Sequence, residues 1–477
     1  MRFALSAALL VLAAPSSITY ASAQQPPTLA FEPVRYALDL TIHYDRATLD
    51  GSARITVRNR SSRAETDVPL LLYRLLRVSQ ASDGQGRALG VTQAVTSVAG
   101  FPQLQLNAIT VSLAHALAPG DTTTVAVDYA GYLLGYRETG MLYVQDRIDT
   151  TFTIIRDDAY AYPTLGLPSI GAMHGPSGWH FHYVARVTVP STLVVANGGR
   201  LLERSERDGL VTYTYEDRLP AWRLDLAIAR YGVLGANATR VYYLPGDSAG
   251  AAGVLRAVHN AMRLYSEWFG PLKTQTGYAV IEIPDGWGSQ ADRTAIIQTA
   301  AAFRDSSRWT EVYHEVSHQW NVDDLDPAPC RWNEGLAMFL QYLTAERLQG
   351  RPTVAEGAAA ALAALERRFA QRPEERSVPM AQYGKAGLTD LSYRSGMLMF
   401  AVLYGVVGEE QFHRIIGGFY QRYAASGATT DDLVNYAKAT ASADLTRFFD
   451  DWLYTSRWTE HVRSGTTLAT LVHAYRP

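Results

Sequence analysis

His314-Glu315-Val316-Ser317-His318 is followed, after fifteen intervening residues, by Glu334 within Trp332-Asn333-Glu334-Gly335-Leu336-Ala337. On a helix, residues four apart share a face, so His314 and His318 can aim their imidazoles at one point. Two neutral imidazoles and one carboxylate, with a fourth position left to water, form a catalytic rather than a structural zinc site. One Zn2+ per chain is the cofactor this pattern implies. Glu315 stands beside the ligand row without belonging to it, where it can take a proton from the attacking water.

The pentapeptide alone is short enough to arise by chance in an unrelated helix. Three features of its surroundings raise it above that. Asp305-Ser306-Ser307 offers an N-cap just upstream. Trp309, Val312, Tyr313, Val316 and Trp320 then recur at helical spacing, so the motif sits in an amphipathic helix. Downstream, Glu334 opens a second helix whose Leu336, Phe339, Leu340 and Leu343 share one face. A lone glutamate there would be a solvated surface charge; opposite two histidines it is the candidate third ligand.

His314 to Trp320 together with Asn333-Glu334-Gly335-Leu336-Ala337 resembles the gluzincin family that includes aminopeptidase N and leukotriene A hydrolase. The resemblance implies zinc held by His314, His318 and Glu334, with Glu315 as general base. The usual connection between the second histidine and the glutamate is longer in that family, so the loop Gln319 to Asn333 is shortened here. What matters is where the two helices lie, not the path between them. Trp320-Asn321-Val322 is also similar to the glycyl aminopeptidases, a sister family with the same zinc chemistry.

At the start of the chain, Arg2, the apolar run Ala4 to Ala14 and Ala21-Ser22-Ala23 read as the three regions of a secretory signal over residues 1–23. Cleavage near Ala23 would give an exported chain, periplasmic or extracellular, starting at Gln24. No later apolar run reaches membrane-spanning length. Hydrophobic residues make up 47% of the 477-residue chain and charged residues 19%, which is ordinary globular usage. A net charge of −3 advertises no nucleic-acid or anionic-membrane partner. The single cysteine, Cys330, excludes an internal disulfide and reads as a passive, half-buried thiol rather than a ligand or nucleophile.

After a linker at 24–30, β-structure is expected over 31–235. Tyr36, Leu38, Leu40 and Ile42 alternate, as do Ala53, Ile55 and Val57, with Asp50-Gly51 as the turn between them. Ile109, Val111 and Leu113, Thr123 to Tyr129, His182 to Pro190, Leu193 to Gly198, Val211 to Tyr215 and Leu224 to Val233 continue the series, with Pro119-Gly120-Asp121 as a further turn. Many short strands indicate an antiparallel β-sandwich. The opening strand and the Val187-Thr188-Val189-Pro190 segment also resemble the N-terminal saddle domain of the aminopeptidase N family. His180 and His182 share a face but lack a third ligand, which favours ordinary polar surface. Tyr160, Tyr162 and Trp179 read either as the floor of a substrate groove or as β-domain core.

Residues 236–465 are expected to be a mixed α/β catalytic unit, followed by a C-terminal tail at 466–477; the fold class is α+β. Arg240 to Leu244 and Tyr278 to Ile283 read as strands, and Leu255, Val258, Met262, Tyr265 and Phe269 as one helix face ended by Gly270-Pro271. The family it resembles has a thermolysin-like catalytic domain built this way. The long helical-repeat domain of larger members is not expected. In the aminopeptidases a Gly-x-Met-Glu-Asn segment binds the substrate amine; here the matching stretch is Gly288-Ser289-Gln290-Ala291-Asp292, so Ala291 stands where that carboxylate would be. Gln290 and Asp292 are the nearby candidates to replace it. The stretch should also serve as an edge strand that aligns a peptide. Tyr393, in Leu391-Ser392-Tyr393-Arg394-Ser395-Gly396, matches the family's catalytic tyrosine, a donor to the tetrahedral oxyanion. Arg394 beside it is a candidate contact for a substrate carboxylate.

Zinc-assisted peptide hydrolysis, most simply by an aminopeptidase, is the expected activity. The alternatives are an endopeptidase on the same fold, a peptide-binding protein without activity, and an epoxide or lipid hydrolase.

Overall fold

The computed structural model describes residues 29–99, 101–139, 144–169, 172–173, 179–273 and 277–476; the expected signal at 1–23 and most of the 24–30 linker lie outside them. Two sheets share the core of the N-terminal half. The larger has seven strands in the order Arg200–Arg207, Leu210–Glu216, His182–Pro190, Phe31–His43, Thr48–Asn59, Thr122–Tyr132 and Leu76–Asp83. The smaller has four, in the order Gly90–Val98, Phe101–Leu117, Glu65–Tyr73 and Thr164–Leu165. Alternation supplies the contact between them: Tyr36, Leu38, Leu40, Ala53, Ile55 and Val57 from the first sheet are buried with Leu70, Leu72, Ile109 and Val111 from the second.

Two local expectations give way. The two sheets are antiparallel except at one seam, where Phe31–His43 and His182–Pro190 run parallel with Leu40 opposite Val187. The intervening chain, which carries the smaller sheet, is long enough to make that return. Asp50-Gly51 is not a turn. It lies inside the strand Thr48–Asn59, and the chain reverses earlier, through Tyr44 to Ala47. Gly51 is needed for space: a Cβ there would sit 2.4 Å from the ring of Tyr129 on the neighbouring strand.

The catalytic half is built on a five-stranded sheet. Its strands are β1 (Gly232–Ala236), β2 (Thr239–Tyr243), β3 (Tyr278–Ile283), β4 (Gln290–Asp292) and β5 (Ala295–Thr299), in the spatial order β1-β2-β3-β5-β4. The expected strand Leu224 to Val233 is therefore two strands. Leu226–Ala229 joins Val194–Ala196 and Phe152–Ile155 in a three-stranded sheet, whereas Gly232–Ala236 already belongs to the catalytic sheet, ahead of the expected boundary at 235. Strand periodicity divides the five-stranded sheet between two cores. Tyr242, Ile281, Ala295 and Ile297 pack on Phe152, Ile154, Ala196 and Ala227 of the β-half. Val241, Val280 and Ile296 point the other way, into the helices.

Those helices include α1 (Ser248–Phe269), α2 (Trp309–Ser317), α3 (Trp332–Gln349) and α4 (Ser392–Val407). The expected tail is in fact docked: Leu468–Tyr475 is a helix whose Val472 lies against Gly405 of α4. At the centre, α3 and α4 cross backbone to backbone. A Cβ on Gly335 would lie 2.4 Å from Gly396 Cα and 2.8 Å from the Ser392 carbonyl oxygen. Gly335 follows Glu334 and Gly396 follows Tyr393 by three residues, so this crossing sets the distance between two site residues. Gly335→Ala should destabilise the fold by about 1–3 kcal/mol through overpacking. A thermal scan and metal analysis should show a lower midpoint and weaker metal retention; an unchanged midpoint would mean that the helices can separate freely.

Candidate active site

The Asp305 carboxylate accepts a hydrogen bond from the Ser307 amide and starts one tight turn, Ser306–Arg308, that leads into α2. Val312, Tyr313, Val316 and Trp320 are buried against α1 and α3, which fixes the rotation of α2 about its axis. The Tyr265 hydroxyl of α1 donates to the Tyr313 carbonyl, and Thr344 Oγ1 of α3 lies 2.9 Å from that hydroxyl. The face this leaves toward the cleft carries His314 and Glu315; His318 follows in the turn His318–Trp320.

His314 Nε2 is 3.4 Å and His318 Nε2 3.6 Å from Glu334 Oε2, and the imidazole planes stand at 83° to one another. Donor atoms held at roughly 2.0–2.1 Å in a tetrahedron are separated by about 3.3–3.4 Å, so both histidine-to-glutamate separations suit one zinc ion, and all three donor atoms lie within 4.8 Å of one another. The three residues are the candidate metal cluster found among the described residues. Protonation also suits them. Burial pulls the His318 imidazolium down to about 4, against the pull of Glu334. Burial would raise the Glu334 carboxyl, but His318, the hydrogen bond from His314, and Arg331 together hold it well below the usual range. For His314 burial works downward, yet Glu334 and Glu315 raise it overall. The Asn321 side-chain amide lies 2.7 Å from His318 Nδ1, which turns Nε2 toward Glu334.

Glu315 is buried, and burial pushes its carboxyl up to about 7. Tyr393, in the first turn of α4, lies parallel to the His314 ring with centroids 6.3 Å apart. Burial and then Glu334 push its phenol upward, which keeps it a proton donor. Arg331 completes the group and was not legible as a site residue in the sequence. It precedes α3 with φ +60°, pairs with Glu334 Oε1 at 2.5 Å, and lies over the Tyr393 ring at 5.8 Å. Its position directly before Trp332-Asn333-Glu334 was the available signal.

The expected substrate stretch divides. Gly288 and Ser289 line a cleft of about 410 Å³ with His314 and Glu315. β4 is an edge strand, paired on one side only, with β5. Gln290 and Asp292 stand opposite Ile297 and Ala295, on the face toward the β-half, and Ala291 stands opposite Ile296, on the helix face. Gln290 accepts from Arg156 and donates to Asp158, both in the β-half. Burial pushes the Asp292 carboxyl up to about 7, and its Oδ1 has no hydrogen-bond partner. Neither side chain lines the cleft, so neither replaces the missing carboxylate there.

Tyr160 and Tyr162 are buried in the β-core, their hydroxyls donating to Met173 and Leu224 carbonyls, not on a groove floor. His182 pairs with Asp217 and His180 with Asp323, and neither belongs to a candidate metal cluster among the described residues. Arg394 is exposed on α4. Cys330 is buried beside Thr430, and burial pushes its thiol up to about 11, which keeps it inert.

One histidine at the end of α2, a second in the turn that follows it, and a carboxylate from the first turn of α3 make the donor set of a mononuclear catalytic zinc site, with β4 as a free sheet edge. Residues 291–452, about a third of the chain, match the Peptidase family M1 domain, and the two histidines and the carboxylate at zinc-ligand spacing lie within that match. The chain is 20% identical over 289 residues to Aminopeptidase M1-D of Oryza sativa subsp. japonica, matching 55% of this chain and 33% of that protein. It is 24% identical over 290 residues to Leucyl aminopeptidase of Saccharolobus solfataricus, 56% of this chain and 37% of that protein. The chain thus spans about a third of the length of these curated relatives. Among solved structures, an M1 zinc metallopeptidase from Deinococcus radiodurans with a bound Tyr-Ser-Ala substrate superposes with a TM-score of 0.65 at 23% identity, over 90% of this chain and 95% of that one.

Arg331→Met should weaken zinc binding by about 10–100-fold, because a ligand's outer partner orients it. Chelator competition on folded protein is the measurement; an unchanged affinity would show that Glu334 holds its position alone.

Proposed function

We propose that this chain is a zinc metallopeptidase acting on peptides from their N-termini. The convergence of His314, His318 and Glu334 at zinc-ligand spacing, with Glu315 next to His314 on the wall of the adjoining cleft, is the observation that carries the reading. Zinc held by these three residues would acidify the attacking water and polarise the scissile carbonyl. Glu315 accepts the water's proton and delivers it to the leaving amine; a buried carboxyl poised near neutrality suits both roles. Tyr393 donates its hydroxyl hydrogen to the tetrahedral oxyanion. The open backbone edge of β4 aligns an extended peptide by strand addition. No helix among the described residues is long and apolar enough to cross a membrane.

Internal cleavage is the second reading. It is favoured by the alanine at 291 and by the inward orientation of Gln290 and Asp292, which leave no carboxylate of this stretch in the cleft. Glu315→Gln should lower kcat by about 10²–10⁴-fold while one zinc per chain is retained. Tyr393→Phe should lower kcat with little change in KM. Near wild-type rates in Glu315→Gln would sink the mechanism. In the same assay, chelator-sensitive cleavage of a free peptide but not its acetylated twin identifies an aminopeptidase; equal cleavage of both identifies an endopeptidase.

We also propose export, supported by Arg2, the Ala4 to Ala14 run and Ala21-Ser22-Ala23. Sequencing the N-terminus of protein recovered outside the cytoplasm should give Gln24; recovery only as an uncleaved cytoplasmic chain contradicts it.

A further inference from the structure

The cleft is one-sided with respect to the site, and its far wall is charged. Besides His314 and Glu315 it is lined by Asp285, Trp287, Arg308, Glu311 and Met338 among others, but not by Tyr393, His318 or Glu334. This step rests on the peptidase reading. Glu315 delivers its proton to the leaving amine, so the segment that departs lies on the Glu315 side, and this cleft receives it. Glu311 is one turn before Glu315 on the same face of α2, and both carboxylates line this cleft.

Glu311 is anchored from behind. Its Oε2 accepts from Thr299 Oγ1 at 3.2 Å and lies 3.5 Å from Gln298 Nε2, both on β5. Its other oxygen is met by Arg308, whose side chain is 53% exposed, against 29% for Glu311. A pair with one end so open to water is weak and exchangeable. Asp285 adds a second carboxylate to the wall, with its own partner Arg304 also tied to Asp247. Half-buried Trp287 and Met338 offer apolar surface along the way in. The combination suits a long aliphatic stem with a cationic end, which buries its methylenes and keeps its charge on a carboxylate.

We propose that Glu311 makes this cleft a subsite for a lysine or arginine side chain, selecting peptides with a basic residue immediately after the scissile bond. In binding, the substrate cation takes the place of Arg308 on Glu311, and Arg308 swings to solvent. Glu311 is a specificity residue; it takes no part in the proton transfers.

The test is kcat/KM of the zinc-loaded enzyme on Leu-Xaa-Ala peptides with arginine, leucine or glutamate as Xaa. The arginine peptide should exceed the leucine peptide by roughly tenfold, with glutamate below both. Glu311→Gln, which keeps the shape of the side chain, should collapse that ratio toward one, and Glu311→Lys should reverse the order of arginine and glutamate. Equal rates on all three peptides in the wild type, or an arginine preference that persists in Glu311→Gln, would overturn the inference and leave the peptidase reading intact. So would a loss of rate on amidating the peptide C-terminus that Arg308→Gln abolishes and Glu311→Gln does not, since the cleft would then read a carboxylate. Failure of the zinc enzyme to cleave any of the three, or any longer peptide, would instead remove the peptidase reading and this inference with it.

Discussion

A buried carboxylate shared by two imidazoles is the constraint around which the molecule is arranged. Glu334 is almost fully enclosed, and an unpaired charge there would be costly. His314, His318 and Arg331 compensate it from α2, from the turn after α2, and from the residue before α3. Each contributor must therefore be held to within tenths of an ångström by packing that is itself remote from the cleft. Tyr265 provides part of this by joining α1, α2 and α3 through the Tyr313 carbonyl and Thr344. The glycine-to-glycine crossing of α3 and α4 provides the rest, because it brings Tyr393 alongside the His314 ring.

The edge strand β4 is fixed by a different kind of interaction. Arg156 and Arg223 are buried between Asp146, Asp158 and Asp225, and Gln290 of β4 is drawn into that group. Ion pairs of this sort contribute little net stability, since desolvation offsets their attraction. They are demanding about geometry, however, and here they fasten the edge of the catalytic sheet to the β-half. Gln145 reinforces the joint by donating to the Gly286 carbonyl in the loop that lines the cleft. The two halves of the chain are thus joined along β4 and the loop before it. The three-stranded sheet behind them supplies the apolar part of the same interface.

Much of the site could be read from residue order because the chemistry is local. His314, Glu315 and His318 lie within five positions, and Glu334 opens the helix that follows them. The β-half was legible as alternating strands for the same reason. Arg331 was invisible because its role depends on a left-handed backbone turn that aims it at Glu334. Asp50-Gly51 misled because the pair usually marks a hairpin, whereas the space under Tyr129 decided the matter. Tyr160 and Tyr162 could be assigned to groove or core only once the second sheet was in place over them.

The sequence by itself determined which histidines and glutamate stand at metal-ligand spacing, the glutamate beside them, and the run of β-strands ahead of a mixed half, since each is written in short-range spacing and periodicity. Tertiary structure decided which way β4 faces. A strand presents successive side chains to opposite sides, so its pairing register with β5 sends Gln290 and Asp292 toward the β-half and Ala291 toward the helices. It also decided that Glu311, one more charge on a helix in the sequence, stands in the wall of the cleft. That placement requires β5, the loop at 285–289 and α3 to meet around α2, and no run of residues along the chain encodes their meeting.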